Sequence, residues 1–212
     1  MIIAVDGPAA AGKGTLARRL AQHFGLAYLD TGSLYRAAAL RALKRGDPRD
    51  PAVAEAAARE VRLEDVNDPR LRAEDVAEAA SVVAAIPAVR AALLGLQRDF
   101  AHRPPGGAKG AILDGRDIGT VVCPDADAKL FVTASIEARA ERRSRELRGS
   151  DSGSIYPRVL QDMKLRDARD SGRATAPLQK AADALSLDTT ALDADAAFAA
   201  AVEFIARKRR GR

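Results

Sequence analysis

At 212 residues with 47% hydrophobic side chains, the chain suits one α/β domain with an insert or lid rather than two independent domains. A single cysteine, Cys123, excludes an internal disulfide, and the two histidines, His23 and His102, lie too far apart in sequence to suggest a structural zinc site. The net charge of +5 raises a polyanionic partner, but 4% aromatics and no tryptophan leave little for stacking bases, and the basic run at 207–212 reads as a solvated helix end.

The first element is a strand over 2–6, whose opening residues lack a basic n-region. No apolar stretch approaches the roughly 18 residues that span a bilayer, so a cytoplasmic monomer with no membrane or nucleic-acid partner is expected. The strand runs straight into Gly7, Pro8, Ala9, Ala10, Ala11, Gly12, Lys13, Gly14 and Thr15, and a helical pattern follows over 15–24. Glycines let the backbone curl until successive N–H groups point at one spot, and the helix that follows aims its positive end there. Lys13 adds a point charge for the β- and γ-phosphates of a nucleoside triphosphate. The match to G-x-x-x-x-G-K-[ST] departs at one place, because Gly14 stands at the Ser/Thr position and Thr15 follows it.

A second strand, 27–30, and a helix, 33–44, bracket Asp30, Thr31, Ser33 and Arg36. Arg36 can hold an acceptor phosphate with Thr31 close by, or Ser33 or Thr31 can cap the helix beside a solvated arginine. From 47 to 107 the strand–helix alternation stops, and an Ala-rich helical stretch punctuated by Pro48, Pro51, Pro69 and Pro87 reads as an insert. The third strand, 111–114, ends in Asp114, Gly115, Arg116, Asp117, Ile118, Gly119 and Thr120. Charged residues between glycines there indicate close backbone approach to something polar, with a structural Asp–Arg pair as the competing reading.

A strand over 129–132 and a helix over 135–148 lead to a Gly/Ser-rich tip at 149–154, then to an Arg-dense helix over 156–170. That combination reads as a hinge and a lid, 149–173. Arg166, Arg169 and Arg173 share one helical face if the helix runs that far, with few carboxylates to match them; a surface ion-pair ladder is the competing reading. A strand over 185–187 and a helix over 194–209 complete a core of 1–46, 108–148 and 174–212. The alternation predicts a parallel sheet with ligands outside the carboxyl ends of its strands.

Taken together, GPAAAGKGT at 7–15, DTGSLYR at 30–36, AASVVAAIPAVR at 79–90, DGRDIGTVV at 114–122 and RDARDSGRATAPL at 166–178 make the chain resemble the bacterial cytidylate kinases of the nucleoside monophosphate kinase group. The resemblance implies a P-loop NTPase-type three-layer α/β fold with a five-stranded parallel sheet in the order 2-3-1-4-5. It implies transfer of the γ-phosphoryl of ATP to CMP or dCMP, with Mg²⁺ accompanying ATP. On that resemblance the base pocket falls on Ser81, Arg90 and Asp117. Thr31, Arg166 and Asp170 fall near the ribose or its phosphate, and Arg36, Arg116 and Arg173 match phosphate-binding arginines. Lys13, Arg116, Arg166, Arg169 and Arg173 are the implied catalytic set. Metal ligands stay open between Thr15 and Asp114, acting through water. Many relatives carry a longer, strand-rich insert where this chain has Arg62 to Leu71, so an abbreviated subdomain is expected.

Other acceptors, UMP or shikimate, are the nearest alternatives; a carboxylate at Asp117 opposes O4 of uracil. A nucleotide switch or nucleic-acid-binding protein is more distant, since no Asn-Lys-x-Asp motif exists and Asn67 is the sole asparagine.

Overall fold

The computed structural model describes residues 1–148 and 152–210. The chain runs β1 (Ile2–Asp6), α1 (Lys13–Phe24), β2 (Ala27–Asp30), α2 (Thr31–Arg45), α3 (Pro51–Arg59), α4 (Glu74–Val83), α5 (Pro87–His102), β3 (Ala111–Gly115), β4 (Ala128–Thr133), α6 (Ile136–Arg148), α7 (Ser152–Gly172), β5 (Leu185–Asp188) and α8 (Ala194–Arg210). The strands form one parallel sheet in the order β2-β3-β1-β4-β5, as expected. These strands read as near-continuous apolar runs because helices cover both faces of the sheet. Leu16, Leu20 and Ile205 from α1 and α8 pack on one face with Ile3, Val5 and Ile112. Leu34, Val83, Leu93 and Phe100 from α2, α4 and α5 pack on the other with Ala4 and Leu113.

Residues 47–107, expected to be an insert, carry helices and 3-10 turns joined by loops, and no strand among the described residues. Two 3-10 turns, Leu63–Asn67 and Pro69–Arg72, occupy the segment expected to be abbreviated, and Asp68 opens the second by accepting from the Arg70 N–H. The insert has no core of its own, because Ala54, Leu71, Val76 and Val89 bury themselves in the same cluster as α2 and β3.

The parallel register places Asp114 opposite both Val5 and Asp30, and Asp6 opposite Gly115. Three strand-end carboxylates thus gather at the carboxyl edge of the sheet. The lid helix α7 buries Val159 and Met163 against Ala140 of α6, with Ala9 and Ala10 of the loop alongside. It starts earlier than the sequence suggests, taking in residues 152–154 of the expected tip; residues 149–151 lie outside the described part, as do 211 and 212 of the basic run. Among the described residues no single helix is long and apolar enough to cross a membrane.

Candidate active site

The site begins at the loop between β1 and α1. Gly7 has φ +147°, and a Cβ there would sit 1.9 Å from the carbonyl oxygen of Val132, so no other residue fits without moving β4. Gly12 has φ +87° and leads into α1 in the left-handed region. Lys13 is buried and its Nζ donates to the carbonyl of Pro8 at 2.8 Å. Burial, with Arg116 adding repulsion, lowers its pKa to about 7. In the free protein this lysine is therefore close to losing its charge, and phosphate oxygens would restore it.

Gly14 has a structural reason. A Cβ on it would lie 3.3 Å from Asp114 Oδ2 and 3.5 Å from the Tyr28 hydroxyl. That hydroxyl donates to Asp114 Oδ2 at 2.8 Å, so a larger residue at 14 would crowd this bond. Burial and the neighbouring Asp30 carboxylate raise the pKa of Asp114 to about 6, against the pull of Lys13. Thr15 is exposed.

Where β2 passes into α2, neither the Thr31 nor the Ser33 hydroxyl caps the helix. Thr31 is buried and donates to the Asp114 carbonyl at 2.8 Å, while Ser33 donates to Asp30 Oδ2 at 3.0 Å. Arg36 Nη1 also donates to Asp30 Oδ2, at 3.2 Å, so it is held rather than free in solvent. Burial alone would push Asp30 up, but Arg36 and Ser33 outweigh it and hold the carboxyl below its usual range.

The turn after β3 connects three parts of the chain. Arg116 Nε donates to Asp170 Oδ2 of α7 at 2.9 Å. Asp117 is bonded to Arg90 of α5, both side chains being under a tenth exposed, and the Arg90 guanidinium lies 5.4 Å from the Tyr35 ring centroid. Asp6 accepts from the N–H groups of Ile118 and Gly119, each at 2.7 Å.

From the lid, Arg169 Nη1 reaches α4 and donates to Ser81 Oγ at 2.6 Å. Helix α7 ends at Gly172, so Arg173 stands just beyond it, its Nη2 donating to the Ala176 carbonyl at 2.8 Å. Arg166 and Arg173 each keep a buried Nε with no hydrogen-bond partner. Burial and repulsion from Arg116 lower the Arg166 pKa to about 10; burial and repulsion from Arg90 lower that of Arg173. A buried donor without a partner costs about 1–3 kcal/mol, which an anion placed there would offset.

The structure thus brings Lys13, Arg36, Arg116, Arg166 and Arg173 toward one place, and Ser81, Arg90 and Asp117 beside it. The surface-ladder reading does not hold on this face. Asp170 is buried there against Arg116, and although burial opposes it, Arg116 and Arg166 hold its carboxyl below the usual range. A surface cavity of about 280 Å³ between α2 and the 3-10 turns is lined by Leu40, Arg41, Lys44 and Asp65 and by none of these residues.

Sequence reasoning passed over four residues. Asp6 carried the same signal as Asp30 and Asp114, an Asp ending a strand. Tyr28 alternates with apolar neighbours in β2 and gave no sign of its bond to Asp114. Arg139 in α6 pairs with Asp167 of the lid at 2.6 Å and donates to the Ala9 carbonyl at 3.3 Å. Thr189, after β5, donates to the Ala11 carbonyl at 3.0 Å. Nothing local distinguished either of the last two.

A cytidylate kinase family model matches residues 3–207. A cytidylate kinase of Paramagnetospirillum magneticum is 61% identical over 98% of this chain and 99% of its own length. One from Methylocella silvestris is 62% identical over 97% and 94%. An uncharacterised protein from Eubacterium ventriosum aligns with a TM-score of 0.51 over 97% of this chain and 98% of its own, at 14% identity, a likeness of fold alone. With a phosphate loop, strand-end carboxylates and lid arginines facing one another, and with this agreement along nearly its full length, the chain belongs to the cytidylate kinase family.

Proposed function

We propose that the protein transfers the γ-phosphoryl of ATP to the 5′-phosphate of CMP or dCMP, giving ADP and CDP or dCDP. The observation that carries this reading is the pair of buried, unpartnered Nε groups on Arg166, set beside Arg116 and Lys13, and on Arg173, set beside Arg90 and Asp170. The acceptor phosphate is already ionised at neutral pH, so no general base is required and catalysis consists of alignment and charge neutralisation. The amides of residues 7–15 and Lys13 hold the donor, and Arg36 and Arg116 hold the acceptor phosphate. Arg166, Arg169 and Arg173 surround the charge that develops between them. With α7 docked, water is kept from the γ-phosphoryl.

Cytosine shows an amino donor at N4 and acceptors at N3 and O2. Asp117 accepts from the first and Arg90 donates to the others; held together in the free protein, they are positioned before the base arrives. Ser81, Thr31 and Asp170 complete the nucleoside side. Both substrate sites come from one chain, which suits a cytoplasmic monomer acting on diffusing nucleotides.

Mg²⁺ fits as a partner of ATP rather than as a resident ion. Among the described residues no group of three His, Cys, Asp or Glu side chains forms a metal site. Buried Asp114 and exposed Thr15 at the head of α1 suit outer positions, holding the waters of an ion already bound to phosphates. When bound, Mg²⁺ offsets charge on the β- and γ-phosphates. ADP release with ATP and Mg²⁺ across CMP, dCMP, UMP, AMP, GMP and shikimate tests the reading: CMP or dCMP should lead, and faster turnover of UMP or shikimate would refute it.

A further inference from the structure

We infer that Asp6 is a positioning residue that fastens the acceptor-binding turn to the end of the donor loop, an inference that rests on the phosphotransfer reading above. Asp6 is the last residue of β1 and directly precedes Gly7, and its side chain is buried. The β1–β3 register ends at Asp6 opposite Gly115, so residues 116–119 leave the sheet with no ladder to hold them. The carboxylate takes over at that point. Its Oδ1 accepts from Ile118 N and its Oδ2 from Gly119 N, both at 2.7 Å.

These two N–H groups open a wide, π-type helical turn, Ile118–Val122, whose internal bonds begin only at the N–H of Val121 and Val122. The first N–H groups of any helical turn lack partners within it. Asp6 supplies them from another strand. The far end of the same turn is held separately, by Arg98 donating to the carbonyls of Val121 and Val122 at 3.0 and 3.1 Å. Asp6 therefore governs the end that carries Arg116 and Asp117.

Both of those residues bond directly to other elements, Arg116 to Asp170 of α7 and Asp117 to Arg90 of α5, so a small rotation of the turn displaces both contacts. The contact is close enough to select its neighbour: a Cβ on Gly119 would lie 3.3 Å from Asp6 Oδ2 and 3.1 Å from Lys129 Cδ. The donor loop has supports of its own, Gly7 packed against Val132 and the helix α1 that follows Gly12, so the larger effect falls on the turn.

The test compares wild type, Asp6→Asn and Gly119→Ala in steady-state kinetics, with amide hydrogen exchange at Ile118 and Gly119 as a readout independent of turnover. Asparagine offers one acceptor and turns an amide donor toward the other N–H. Asp6→Asn should raise the KM for CMP about tenfold, leave the KM for ATP within about twofold and speed exchange at both amides, as displacement of a positioning group does. Gly119→Ala approaches the same contact from the other side and should move the same KM by a smaller factor, with the double variant less than multiplicative. An unchanged KM for CMP, or an equal rise in both KM values, would overturn the inference, as would unaltered exchange. If Asp6→Asn does not fold, Gly119→Ala decides by the same criterion. A wild-type protein that does not turn over CMP defeats the phosphotransfer reading alone, and the exchange rates then decide whether Asp6 holds the turn.

Discussion

Arg116, in the turn after β3, and Asp170, near the end of the lid helix, form a bonded pair at 2.9 Å with side chains 18% and 6% exposed. It joins the rigid sheet edge to the lid, and its carboxylate is also close enough to favour the charges of Arg166 and Arg173. Removing one partner of a buried pair leaves an uncompensated charge, so Asp170→Ala should cost about 3 kcal/mol of stability in the free protein. Chemical denaturation measures this, and saturating CMP should recover more stability in the variant than in wild type, because its phosphate supplies the missing negative charge.

The unpartnered Nε groups of Arg166 and Arg173 have a kinetic consequence. Arg173→Ala and Lys13→Ala should each lower kcat by on the order of 10²-fold or more, as loss of a charge-stabilising donor usually does. Turnover equal to wild type in either variant removes that residue from the mechanism.

Lys13 has a pKa of about 7 in the free protein, so at pH 8 it is largely neutral. Triphosphate oxygens favour its charged form, and binding of Mg·ATP at pH 8 should draw a proton from solvent. At pH 6 the lysine is already charged and this uptake should vanish. Calorimetry in buffers of different ionisation enthalpy reads the proton count, and Lys13→Met should abolish the pH 8 uptake.

Asp114, with its pKa raised to about 6, binds a proton more readily folded than unfolded between about pH 4 and 6. Its contribution to stability therefore falls as pH rises through that window, the cost being that of ionising a buried carboxyl. Asp114→Asn lacks this cost. The stability of the variant relative to wild type should improve by about 1–3 kcal/mol between pH 4 and pH 7, while its activity falls. A constant difference across that range would show that the carboxyl is not desolvated as the fold suggests.

The pairing of Arg90 with Asp117 makes a specificity change accessible. Asp117→Asn replaces an acceptor-only group by one that can also donate to O4 of uracil. The ratio of kcat/KM for CMP over UMP should drop at least tenfold, roughly the discrimination that one misplaced base contact carries.

Much of this was legible because it is local. The loop at 7–15 shows its purpose in nine consecutive residues, and the alternation of apolar runs with amphipathic ones specified a parallel sheet whose order follows from the fold resemblance. Boundaries slipped where capping is not local: α2 begins at Thr31 because the Thr31 hydroxyl bonds to the Asp114 carbonyl of another strand instead of capping its own helix. The lid arginines were visible as charges, whereas their pairing was not, since Asp170 meets Arg116 across 54 positions of chain.

The sequence by itself determined the phosphate loop, the strand-end motifs and the family, because each depends on residues close together in the chain and on the short-range geometry of glycine and helix ends. Only the tertiary structure decided which charges meet. It alone put Asp6 under Ile118 and Gly119, set Tyr28 and Gly14 against Asp114, and left Arg166 and Arg173 short of a partner. Those relationships depend on parallel strand register and helix docking, which bury charged groups: loss of hydration first, and neighbouring charges second, bring Lys13 down to about 7 and Asp114 up to about 6.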